Sequence, residues 1–132
     1  MIVVDASVIA ALILNTSEAA ELIEAIDMTP EVVISAVARV DAVATLHMLR
    51  PDIAPERIAS FIDALNIETV PPTPEQTDLA IRAYAAYGEG QHDAALTLSG
   101  CFTYALARSN DAQVLDASGK FAQTDLAAPE EG

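Results

Sequence analysis

An aspartate that directly follows a β-branched run is the residue in this chain best placed to do chemistry. Met1 to Val4 reads as a short strand buried on both faces, and Asp5 stands at its carboxyl end. In parallel sheets ligands gather beyond the carboxyl ends of the strands, so a carboxylate there faces a crevice and not bulk solvent. The same position also suits a helix cap or turn former for Ala6-Ser7, and position alone does not choose between the two. Asp116 ends the last strand-like run, Gln113 to Asp116, and poses the same choice. It either shares the crevice with Asp5 or forms a turn before Ser118-Gly119.

Other reactive types offer less. Cys101 is the sole cysteine, which rules out an internal disulfide or a cysteine-rich zinc site, and its apolar neighbours make it a small core residue. His47 has no ligand-spaced partner, and His92 reads as a loop or packing histidine. A serine hydrolase lacks its nucleophile-elbow sequence, and no glycine-rich phosphate loop is present. The 20 acids outnumber the 6 bases, for a formal charge of −14. Such a surface repels phosphate backbones, and the bases are scattered, so nucleic-acid chemistry would depend on a metal or a basic partner. The longest apolar run, Ala6 to Leu14, has nine residues, against the roughly 20 a membrane span requires. A soluble, cytoplasmic protein is expected.

The elements that position these residues alternate. Thr16 and Ser17 are expected to cap a helix with stripe Ala19, Leu22, Ile23 and Ile26, broken at Thr29-Pro30. Val32 to Ser35 reads as a second strand. A helix then runs from about Ala36 to Leu49, and another begins near Pro55 with stripe Ile58, Phe61, Ile62 and Leu65. Ile67 to Val70 is a third strand. Thr73-Pro74-Glu75-Gln76 is a capping box opening a helix that buries Leu79, Ala80, Ala83, Tyr84 and Tyr87 and ends at Gly88. After a polar loop over 88–97, a helix from Leu98 to Ser109 leads to the last strand. The pattern specifies an α/β fold, an open and mostly parallel sheet with helices on both faces. One domain over 1–125 is expected, with an acidic tail over 126–132.

Asp5-Ala6-Ser7, followed by Val8-Ile9-Ala10-Ala11-Leu12, resembles the opening of PIN domains, and of VapC-type toxins in particular. Ile34-Ser35-Ala36 with Asp41 is similar to that family's second acidic motif, and Ile67 to Pro71 to its third strand. Tyr87-Gly88-Glu89-Gly90-Gln91-His92 and Leu96 to Ala107 match the loop and helix that carry its third acid. Val114-Leu115 and Phe121 to Leu126 resemble its closing segment. Each motif is weak alone, but in this order over roughly residues 1 to 126 they are specific. The resemblance implies a PIN-like, Rossmann-like fold and a Mg2+- or Mn2+-dependent endoribonuclease toxin. It also implies a homodimer and a VapB-like antitoxin as partner. Converging carboxylates suit that chemistry because Mg2+ takes oxygen ligands, and the bound ion activates a water and stabilises charge on the attacked phosphate.

Carried across residue by residue, the pattern is incomplete. Asp5 takes the first acidic position, and Asp41 takes the second, where the family usually has Glu. Gly100 stands where the third acid is expected, immediately before Cys101-Phe102, and Ser118-Gly119-Lys120 stands where acids precede Phe121. Metal binding is therefore expected to be weak or absent and ribonuclease activity weakened or lost. Two rearrangements compete. Asp116 replaces a lost carboxylate, or Lys120 neutralises Asp5 and Asp41 in a metal-free ion pair. Ser7 and Ser35 are candidates to orient Asp5, and Thr97 falls where the family carries a polar amide. The rival to a nuclease is a silent module that acts by protein binding, with Leu22, Ile23, Ile26 or Ile58, Phe61, Ile62 offering a groove. A receiver-like phosphoacceptor would want an acidic pair after the first strand and an Asp after the third, and Val70-Pro71-Pro72 offers none.

Overall fold

The computed structural model describes residues 1–126. The acidic tail expected over 126–132 therefore lies, apart from Leu126, outside the described residues. Strands β1 (Ile2–Val4), β2 (Val32–Ser35), β3 (Glu68–Val70) and β4 (Gln113–Leu115) form one sheet in the order β3-β2-β1-β4, and every pairing is parallel. The register sets Ile2 beside both Val32 and Gln113. Parallel strands need crossovers, and the six helices supply them: α1 (Ala6–Ile13), α2 (Ala19–Asp27), α3 (Ala36–Leu49), α4 (Pro55–Ala64), α5 (Pro74–Tyr87) and α6 (Leu98–Ser109).

Strand side chains alternate between two buried faces, which explains the β-branched runs. Val4, Val32 and Ile34 pack with α1 to α4, where Ile9, Leu46, Ile58 and Ile62 complete the larger core. Val3 and Val33 face α6 through Leu106 and Ala107. Outside α6, a further cluster joins Ala80 and Ala83 of α5 to Cys101, Tyr104 and Phe121. The closing segment is tied back by Tyr104 Oη, which donates to Asp125 at 2.8 Å, and by the Arg108–Asp125 ion pair.

Three local expectations are corrected. Helix α1 was not expected, because its uniformly apolar run gives no polar face from which to read a period. Thr16 and Ser17 do not cap α2 by side chain; Glu18 is its N-cap, and Ala19 N–H bonds the Thr16 carbonyl at 3.1 Å. Tyr84 is exposed rather than buried. The capping box of α5 forms as the sequence specifies, with Thr73 and Gln76 exchanging bonds.

Candidate active site

The cavity residues come from the segments that follow β1 and β4, from α3 after β2 and from the amino end of α6. β1 ends at Val4, so Asp5 sits at the rim with its N–H bonded to the Leu115 carbonyl at 3.0 Å. It is also the N-cap of α1: its Oδ2 accepts from Ser7 N–H at 3.0 Å. The two possibilities open in the sequence are thus both realised, because the capping carboxylate also lines a cavity of about 220 Å³. Asp5 is buried, and desolvation raises its pKa above the usual carboxylate range, with the nearby Asp116 charge adding to the rise. Hydrogen bonding from Ser7 opposes it.

Asp41 lies on α3 and reaches the same cavity. Its Oδ2 accepts from Ser99 Oγ at 2.5 Å and its Oδ1 from Thr45 Oγ1 at 3.2 Å. Thr97 caps α6, its Oγ1 accepting from Gly100 N–H at 3.0 Å, and stands 3.4 Å from Ser99 Oγ. A chain of hydroxyls thus links the α6 cap to Asp41. Ser35 does not orient Asp5. It caps α3, accepting from Val37 N–H at 3.1 Å.

The two rearrangements fare differently from expectation. Asp116 does not line the cavity. Its Oδ1 accepts from Ser7 Oγ at 3.0 Å, Ser118 N–H at 2.9 Å and Ser118 Oγ at 2.7 Å, and its Oδ2 from Phe121 N–H at 3.4 Å. Those oxygens organise the turn after β4. Lys120 does line the cavity, but among the described residues it makes no ion pair with Asp5 or Asp41. Its ammonium donates instead to the Ala95 carbonyl at 3.0 Å. Gly100 lies on the wall with no side chain to offer. His92 is a loop residue: its Nδ1 accepts from Ala94 N–H at 2.9 Å and its ring meets Tyr87 edge-on. Cys101 is buried, which pushes its thiol pKa up and leaves it inert.

Sequence reasoning missed one contributor, Ser99. Ser99 falls immediately before the third acidic position, and its contact with Asp41 spans 58 positions, so no local pattern announces it.

This donor set tests the implied metal. Two carboxylates share one cavity, and Mg2+ commonly keeps several waters while using one or two carboxylates. Among the described residues no group of three or more Asp, Glu, His or Cys side chains converges. The residues fit one hydrated ion held loosely, and they do not form a three-carboxylate cage.

A model of the PIN domain matches residues 2–125, and the chain belongs to the PIN-domain family. Within that family it is of the VapC type. It is 35% identical to a VapC ribonuclease of Rhizobium meliloti over 93% of this chain and 97% of the relative. It is 31% identical to ribonuclease VapC42 of Mycobacterium tuberculosis over 94% of this chain and 95% of that one. A shorter match, 43% identity over 54 residues, covers 41% of this chain and 42% of a ribonuclease VapC of Mycolicibacterium smegmatis.

Proposed function

We propose that this chain is a VapC-like protein of the divalent-cation-dependent endoribonuclease toxin lineage in which catalysis is weakened or lost. The observation that carries the reading is the make-up of a single cavity, where Asp5 and Asp41 meet Gly100 and Lys120. Asp5 and Asp41 would hold a Mg2+ or Mn2+ ion, which when bound supplies an activated water and neutralises charge on the attacked phosphate. Ser7 fixes Asp5 by its backbone N–H, while Ser99 and Thr45 fix Asp41. Lys120 brings a positive charge to the same wall and disfavours a second cation there. A surface at −14 disfavours RNA further.

The helix faces expected to offer a groove are core instead, with Leu22, Ile26, Ile58 and Ile62 buried and Ile23 and Phe61 packed against them. A second reading, a silent module that acts by binding proteins, is supported by a different, exposed apolar strip. Leu98 is 72% exposed, and Val40 and Ile81 are 67% and 66% exposed. Leu98 is common to two adjoining apolar grooves, one between α3 and α6 and one between α5 and α6. Contiguous exposed apolar surface of this kind marks an interface. The strip is assigned to self-association in a homodimer, and a VapB-like antitoxin is the further partner. Residues 1–125 act as one domain, in the cytoplasm. None of the helices is long and apolar enough to cross a membrane among the described residues.

The test is to titrate Mn2+ into the protein by calorimetry and to assay cleavage of a structured RNA, each beside Asp5→Asn. Weak binding, roughly millimolar, with cleavage near background is expected, since only two carboxylates contribute. Micromolar binding and robust cleavage, both abolished by Asp5→Asn, would establish an active nuclease and overturn the proposal of loss.

A further inference from the structure

The cavity that holds Asp5 and Asp41 measures about 220 Å³, below the range of about 300 Å³ upward typical of small-molecule sites. Anything the size of a nucleotide therefore reaches the two carboxylates only if a wall moves. The α1 and α3 sides are fixed, because both helices enter the larger core through Val8, Ile9, Ala38 and Leu46. The loop over 88–97 is held differently. Its two ends are joined by Leu96 N–H donating to the Tyr87 carbonyl at 2.9 Å and Glu89 N–H donating to the Leu96 carbonyl at 3.1 Å. Leu96 is buried and anchors the loop against the cavity, whereas Gln91, His92 and Asp93 are exposed.

Lys120 ties this loop to the turn after β4. Its ammonium donates to the Ala95 carbonyl at 3.0 Å across 25 positions. The lysine backbone is itself fixed, its N–H donating to Ser118 Oγ at 3.1 Å while Ser118 is held by Asp116. Ala95 stands at φ 52°, in the left-handed region where a Cβ is crowded against the backbone. Such a conformation persists only where surrounding contacts impose it. The Lys120 bond to the Ala95 carbonyl is one such contact, and Ala95 N–H donating to the His92 carbonyl at 3.0 Å is another.

We propose that Lys120 and Ala95 form a strap between two parts of the cavity wall, and that its release frees residues 89–95 and opens the way to Asp5 and Asp41. Opening costs one charge-assisted hydrogen bond, and relaxation of Ala95 to an ordinary backbone conformation offsets part of that cost. The strap is made of contacts within the chain. It does not depend on whether the cavity binds a metal or cuts RNA.

The experiment compares the full chain with Lys120→Met, which keeps the stem without the donors, and Lys120→Arg, which keeps a charged donor. Amide hydrogen exchange is followed by nuclear magnetic resonance, and carboxylate access by carbodiimide coupling to glycinamide with peptide mapping, both without metal or RNA. In Lys120→Met the amides of Gln91, His92 and Ala95 should exchange about tenfold faster, the factor for losing one charge-assisted bond, while those of α1 and β2 stay unchanged. Labelling of Asp5 and Asp41 should rise with it, and labelling of the exposed Asp52 and Asp63 should not. Lys120→Arg should restore the wild-type pattern in both readouts. Loop amides that keep the wild-type rate in Lys120→Met overturn the strap, as does an arginine variant that behaves like methionine. Faster exchange without greater labelling of Asp5 or Asp41 shows that the loop does not guard the cavity, and the proposal falls. Acceleration that extends to α1 and β2 overturns it too, since a strap acts locally.

Discussion

Ser7 Oγ donates to Asp116 Oδ1 at 3.0 Å across a separation of 109 positions, while the N–H of the same serine donates to Asp5 Oδ2 at 3.0 Å. One residue therefore couples the acidic ends of the first and last strands. Ala117 N–H returns a bond to Ser7 Oγ at 3.0 Å, so the turn after β4 is fastened to the start of α1. The turn carries Lys120 and Phe121 onto the cavity wall. Asp116 is a structural pin that decides what faces Asp5, and its charge makes the ionised form of Asp5 harder to hold.

That role predicts the behaviour of Asp116→Ala. It abolishes four accepted bonds and leaves the Ser7 and Ser118 hydroxyls and two turn N–H groups to find water. A loss of about 2 kcal/mol is expected, the scale for breaking a part-buried polar network. The urea midpoint should fall with the slope unchanged. Asp116→Asn should leave Mn2+ affinity unaltered; a large loss would show that Asp116 is a ligand after all.

Asp5→Asn should stabilise the protein at neutral pH by about 1 kcal/mol, the usual gain when an unfavourable charge leaves a functional site. The sign follows from linkage. The folded pKa of Asp5 lies above the unfolded value, so the native state binds more protons and stability falls as pH rises through that window. The Asp5 penalty is absent below the unfolded carboxylate value and fully present above the folded one. Thermal melts at pH 7 and pH 4 should show the advantage of Asn at the higher pH and its shrinkage at the lower. An advantage that persists unchanged at pH 4 would contradict the assignment.

The frame was legible because its signals are local. Proline and capping residues mark α5 and α4, β-branched runs mark the strands, and Asp5 follows from its place after β1. What stayed hidden depends on contacts between distant segments. Nothing near Asp116 in sequence says that Ser7 will occupy its oxygen, and nothing near Lys120 says that its ammonium will choose the Ala95 carbonyl over two carboxylates on the same wall. Helix α1 escaped for a different reason: a segment buried on most sides has no polar face, and periodicity needs one.

The apolar strip predicts an oligomer. Leu98 is the shared wall of both grooves, so Leu98→Asp places a charge at the centre of the contact. Central interface substitutions cost about 2 kcal/mol or more, roughly thirtyfold in affinity. Sedimentation velocity should show wild type as a dimer and the variant as a monomer at equal concentration, with unchanged circular dichroism. A wild-type chain that sediments as a monomer throughout would remove the strip from the account of self-association.

The depleted site predicts its own repair. A Cβ built at Gly100 would lie 3.2 Å from Thr97 Oγ1 and 3.7 Å from Leu96 Cβ and Phe121 Cζ, so Thr97 must give by a few tenths of an ångström and nothing rigid intervenes. Replacing a glycine in the first turn of α6 also recovers some helix propensity, and an Asp there suits the amino end of the helix, which offsets part of that strain. Lys120→Asp removes the cation from the wall, at the expense of its bond to the Ala95 carbonyl. The double variant Gly100→Asp, Lys120→Asp should therefore fold, bind Mn2+ at least about tenfold more tightly than wild type and gain RNA cleavage. Each single change should give less, because one restored carboxylate still shares the cavity with Lys120 or lacks its neighbour. If the double variant folds with unchanged Mn2+ affinity, then neither position faces the ion, and the cavity shared by Asp5 and Asp41 is not where a metal would bind.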